Sequence, residues 1–188
     1  MKLTIHHKIK NTINIDKKIY DVSASFDVIL RLLDLLEDKR LYPVDRVNLA
    51  LRMLLNDELS DYTIDEKSEI LKHLLDEFLG FDKKERLDIL GNPMPEKETQ
   101  KLIDYNIDST LIYSAFMQAY GIDLIEEQGR LHWLKFRALM DNLPEDTQLM
   151  KVIGYRSYDP SDEKKDYKQT MLELKNHYSL EEGGATHE

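Results

Sequence analysis

The stretch SASFDVILRLLDLLED, residues 23–38, decides the fold class. Phe26, Ile29, Leu30, Leu33 and Leu36 recur at three- and four-residue steps, and Val28, Leu32 and Leu35 form a second stripe. Such steps bring side chains onto one face of an α-helix, and two stripes together predict a central helix covered by its neighbours. Ser23 and Ser25 are both suitable N-caps for it. Downstream, Pro43 suits the first turn of a second helix with Val47, Ala50, Leu51, Leu54 and Leu55 on its buried face. A third helix starts near Asp65, carries Ile70, Leu71, Leu74, Leu75, Phe78 and Leu79, and stops at Gly80. Upstream, Ile13 and Ile15 alternate with polar residues, and Ile19, Tyr20 and Val22 follow Asp16-Lys17-Lys18, the pattern of a short hairpin. A lone hairpin is marginal in water, so this one is expected to lie on the helical body, with residues 1–10 as a frayed arm.

Farther along, Gly91-Asn92-Pro93-Met94-Pro95 interrupts any helix and marks a mobile loop or a joint. A helix opened by Asp108 or Ser109 and closed by Gly121 follows, with Leu111, Ile112, Ala115, Phe116 and Ala119 on its apolar face. The next holds Leu131, Leu134, Ala138 and Leu139 and ends near Asn142-Leu143-Pro144. Glu145-Asp146-Thr147 starts a short helix that runs through Val152 and Ile153 to a stop at Gly154. A last, highly charged helix over about 161–178 carries Tyr167, Met171, Leu174 and Tyr178 on one stripe. The expected fold is mainly α, a multi-helix bundle with a short N-terminal β-hairpin. Its organisation reads as an arm and hairpin over 1–22, a helical domain over 23–178 and a disordered tail over 179–188. Lobes 23–90 and 96–178 would join near 91–95.

Composition agrees with a helical domain and excludes several chemistries. The 188 residues contain 7 Gly and 5 Pro, too few for a turn-rich β fold, and no Cys, which removes disulfides, thiol nucleophiles and thiolate metal sites. The formal net charge of −10 argues against a general nucleic-acid binder, because phosphate affinity comes mostly from Lys and Arg. No run approaches the roughly 18 apolar residues of a membrane span. The opening MKLTIHHKIK lacks the apolar stretch of a secretion signal, so a cytoplasmic protein is expected.

Catalytic constellations are not legible. His6, His7, His73, His132, His177 and His187 include no pair at helical ligand spacing, and His6-His7 reads as solvated residues on the arm. Asp57, Glu58, Asp61, Asp65, Glu66 and Glu69 cluster between the second and third helices without a calcium-loop pattern, and read as caps and a solvated face. Asp159-Pro160-Ser161-Asp162 begins like such a loop, but Lys164 stands where the glycine is needed. Phosphate-cradling and nucleophile-elbow motifs do not occur. No catalytic, cofactor-binding or metal-ligating residue is assigned.

The chemically distinct block is RLHWLKFR, Arg130–Arg137, which holds three Lys/Arg and no acid, whereas residues 57–88 hold eleven acids and five bases. On a helix Arg130, Trp133 and Arg137 share one face. Either Trp133 caps the core with arginine stacked on it, or this face is a partner-binding patch, since Trp, Tyr and Arg dominate binding hot spots. Tyr is abundant in the second half. The candidate partner-binding residues are therefore Arg130, His132, Trp133, Phe136, Arg137, Tyr120, Tyr155 and Arg156.

Four blocks carry a family resemblance: YGIDL at Tyr120–Leu124, LHWLKFRAL at Leu131–Leu139, EDT at Glu145–Thr147 and KVIGYR at Lys151–Arg156. With the INI…IYDV hairpin and ASFDVILRLLDLLED, they resemble a bacteriophage gp-fifteen family of Gram-positive siphophages and prophages over roughly residues 11–160. Family members often carry a second tryptophan after the first, where this chain has Leu134. The resemblance implies a phage tail morphogenesis protein. Its role would be that of a tail assembly chaperone, which binds the tape measure protein and helps recruit tail tube subunits of the major tail protein. The alternative is a structural virion component, a connector or tail-completion protein. The resemblance implies no enzyme activity, and a location in the host bacterial cytoplasm with absence from the mature virion; no cofactor is expected, and charge and hydropathy point to no nucleic-acid or membrane partner. A homo-oligomer stays open.

Overall fold

The computed structural model describes residue 3 and residues 5–79, 101–159 and 165–180. The expected helix stop at Gly80, the joint near 91–95 and residues 181–188 of the expected tail lie outside them. Among the described residues the fold is mainly α, with seven α-helices and one two-stranded antiparallel hairpin, as expected. No helix among them is long and apolar enough to cross a membrane. The chain divides into two compact units, Met1–Lys84 with Ile125–Leu139, and Glu85–Leu124 with Met140–Glu188.

In the first unit β1 (Thr12–Ile15) pairs with β2 (Lys18–Asp21), Ile13 opposite Tyr20. Ile13, Ile15 and Tyr20 are buried while Asn14 and Ile19 face outward, the period-two pattern of a half-covered sheet. The hairpin is tied down by the Ser23 N–H, which donates to Leu54 O at 2.7 Å, and by the Tyr62 hydroxyl, which donates to Asp16 Oδ2 at 2.9 Å. That carboxylate holds the Tyr62 phenol up to about 12. Asp16 and Lys17 form the turn at φ 45° and 71°, a left-handed pair that matches the strand twist. Lysine is strained there, and Lys17→Gly is expected to stabilise the fold by about 0.5–1 kcal/mol. A thermal melt that does not move upward contradicts this.

Helix α1 (Phe26–Glu37) buries Phe26, Ile29 and Leu32, and its other leucines are half-buried. Helix α2 (Pro43–Leu55) starts on its proline and buries Ala50, Leu51, Leu54 and Leu55. Helix α3 (Ile64–Leu74) opens with a capping box: the Glu66 N–H donates to Thr63 Oγ1, and the Thr63 N–H donates to the Glu66 carboxylate. Its continuation Leu75–Leu79 is a π-helical turn that buries Phe78. The apolar spacing alone reads this as plain α-helix. Residues 125–139 complete the unit. Ser25 and His132 form an antiparallel bridge in which the Phe26 N–H donates to Leu131 O at 2.9 Å and the Trp133 N–H to Ala24 O at 2.8 Å. The Gly129 N–H also donates to Asp27 Oδ1 at 2.9 Å. Helix α5 (Trp133–Met140) starts at this bridge, so Arg130 and Leu131 precede the helix.

In the second unit α4 (Ser109–Tyr120) ends on Gly121 at φ 64°, whose N–H donates to Met117 O. Helix α6 (Gln148–Ser157) is capped by the buried Thr147, which accepts from the Met150 N–H. It continues through Gly154, where a stop was expected. A glycine ends a helix by taking left-handed φ, and Gly154 does not. Helix α7 (Lys165–His177) packs beside α6.

Candidate functional site

The structure separates the eight candidates into buried ties and surface residues. Trp133 and Phe136 are 2% and 1% exposed. Phe136 stacks on Phe26 with ring centroids 5.0 Å apart, and Trp133 stacks on Phe136 at 5.6 Å. This three-ring stack joins the starts of α1 and α5. The expected face of Arg130, Trp133 and Arg137 is not formed, because Arg130 lies outside the helix and the indole turns inward. Burying an indole removes far more apolar area from water than displaying it beside guanidinium groups.

Arg156 is likewise an internal residue. Its guanidinium donates to Asp108 Oδ2 at 2.7 Å and Oδ1 at 2.8 Å, to Leu102 O at 2.9 Å, and through Nε to Tyr178 O at 2.6 Å. The ion pair is 3% and 0% exposed. The Asp108 carboxylate also accepts from the Asp104 N–H at 2.9 Å. Arg156 is thus a structural tie within the second unit. Tyr155 is half-buried and stacks on Tyr178 at 5.6 Å. Tyr120 is half-buried, meets Phe116 edge-on and donates to Asn142 O at 2.9 Å.

Arg130 and His132 do come together, in a groove of about 580 Å³ in the first unit. One wall is residues 130–135, with Lys135 beside them, and the other is the N-terminal arm with Leu3, Ile5, His6, His7, Lys8 and Ile9. Among the described residues no acidic side chain lines it. Arg137 is half-buried and does not line it. Lys8, Lys135, His6 and His7 also line the groove and were not among the candidates. Lys135 was visible inside RLHWLKFR, but nothing local brings the arm to it.

His132 is 6% exposed and acts as the N-cap of α5: its Nδ1 accepts from the Leu134 N–H at 3.0 Å. A neutral ring that accepts at Nδ1 carries its proton on Nε2. The buried Nε2 has no hydrogen-bond partner among the described residues. Burial first, and then the Lys135 ammonium, hold the imidazole below its usual range. The other titratable groups of the groove, Lys8, Arg130, His6 and His7, are all basic or histidine. A folded-state value below the usual one of about 6.5 means stability that is complete above that pH and lost as pH falls through the folded value. Thermal stability is therefore expected to fall as the pH drops below about 6.5, and to fall less in His132→Asn, which retains an acceptor for the Leu134 N–H. Equal slopes for the two proteins contradict this role.

The acidic cluster resolves into separate duties. Asp57 accepts from the Leu59 N–H at 2.8 Å and pairs with Lys18, Glu58 pairs with Arg52, and Glu66 completes the capping box. Among the described residues no group of three or more His, Asp or Glu side chains is placed to hold a metal ion.

Fold and site together define a mainly α-helical protein with a cationic surface groove, held by internal aromatic and ionic ties. The family model described as Bacteriophage Gp15 protein matches residues 5–180, nearly the whole chain, and the chain belongs to that family. Membership places it among phage structural and morphogenesis proteins, a family not known as enzymatic. Comparison with curated proteins and with solved structures finds no match for the chain.

Proposed function

We propose that the protein is a phage tail assembly chaperone that binds the tape measure protein in the host bacterial cytoplasm and helps recruit tail tube subunits. The observation that carries this reading is the family match over residues 5–180. Physical chemistry supports it in two ways. A tape measure is a long amphipathic helix with unmet apolar surface, and a helical partner with a groove covers such a surface at many weak sites along one fibre. A net charge of −10 keeps a chaperone–client complex dispersed.

Co-expression with the tape measure protein of the same phage tests it. The expected result is co-purification of the two chains, a tape measure that stays in solution only with its partner, and absence of the protein from purified particles. Stoichiometric presence in finished particles would overturn the chaperone reading in favour of a connector or tail-completion protein.

A further inference from the structure

We infer that the groove between the N-terminal arm and residues 130–135 is a docking site for a peptide segment of a partner protein that carries both carboxylates and aliphatic side chains. The inference rests on the reading of the protein as a binder of another chain, and it assigns the surface and the chemistry that such a partner must present.

Three observations converge on it. The first is charge. In a chain with ten more acids than bases, Lys8, Arg130 and Lys135 meet in one groove with no acid lining it and no ion pair of their own among the described residues. Elsewhere Lys18, Arg31, Arg40, Arg52, Lys101 and Arg156 each pair with a carboxylate. Unpaired cations in a concave site attract an anionic partner, and they do so more strongly than on an open surface.

The second observation is the orphaned donor. The Ser25–His132 bridge and the Leu134 N–H bond fix the His132 ring, so its Nε2–H cannot turn away to find an acceptor. A buried donor left unmade is costly, and a carboxylate or carbonyl oxygen that displaces the cover over it on binding removes that cost. The third is the apolar lining. Leu3 is 41% and Ile5 95% exposed on the arm side of the same groove. An inorganic anion would leave them uncovered, whereas an acidic peptide with aliphatic side chains covers both kinds of surface.

The test uses the full chain and fluorescence polarisation with three labelled twelve-residue probes: alternating Glu and Leu, all Glu, and alternating Lys and Leu. The Glu/Leu probe is expected to bind best, all-Glu several-fold more weakly, and Lys/Leu not at all. Arg130→Glu with Lys135→Glu, both at exposed positions, is expected to weaken Glu/Leu binding at least about tenfold with an unchanged thermal melt. His132→Asn is expected to weaken it about fivefold, the loss of one hydrogen bond. No binding of Glu/Leu, equal binding of Lys/Leu, or indifference to the double charge reversal overturns the proposal. Equal binding of all-Glu overturns its aliphatic half. The same double variant separates this proposal from the chaperone reading. If it still captures the tape measure protein, the groove is wrong and the chaperone stands. If Glu/Leu binds the groove but the wild-type protein captures no tape measure, the chaperone falls and the groove stands.

Discussion

Replacing Arg156 by leucine is expected to destabilise the second unit by about 3–5 kcal/mol, the cost of breaking a buried ion pair by removing one partner. The Asp108 carboxylate is fully buried and would keep only its bond from the Asp104 N–H. Two backbone carbonyls, Leu102 O and Tyr178 O, would lose their donor as well. Urea denaturation measures the loss. Adding Asp108→Leu should restore part of it, because the stranded charge is gone. It should not restore all of it, because those two carbonyls still lack Arg156. A loss below about 1 kcal/mol in the single variant would show that Asp108 finds other solvation, and that the tie is dispensable.

Phe136→Ala is expected to cost about 3–5 kcal/mol, the usual range for emptying a buried phenylalanine site. Phe136 lies between Phe26 and Trp133, so its removal opens the middle of a stack rather than an edge. Phe136→Leu, which keeps much of the volume, should cost less than half as much. The chain has a single tryptophan, so its emission reports directly on this site and should shift to longer wavelength in the alanine variant. An unshifted spectrum with a large stability loss would place the damage elsewhere.

Local patterns were legible in the sequence, and long-range ones were not. The hairpin follows from Ile13, Ile15 and Tyr20, the start of α2 from Pro43, and the end of α4 from Gly121, because each depends on residues a few positions apart. Gly154 misled because composition does not say whether a glycine takes positive φ. For RLHWLKFR the excess of cations was readable, but the orientation of Trp133 was not. Helical spacing says which side chains share a face, and only the rest of the fold says which face is covered. Here the covering residue is Phe26, and Asp27 beside it accepts from Gly129, 102 residues away in sequence. The burial of Arg156 was hidden from the sequence in the same way. Arginine is the common surface choice, yet Asp108, the Leu102 carbonyl and the Tyr178 carbonyl together receive it indoors. Of the residues that line the groove, Arg130 and His132 were among the candidates, while the arm's His6, His7 and Lys8 needed the folded chain to reach them.

The first unit is built from two separated pieces of chain, and this has a consequence for synthesis. When the ribosome has released Met1–Lys84, Phe26 has no ring to stack on and the backbone partners of Ala24 and Phe26 have not yet been made. That unit can close only after Leu139 has emerged, by which time α4 of the other has already left the exit tunnel. A nascent chain halted before that point leaves Phe26 and the backbone around it without the residues that cover them.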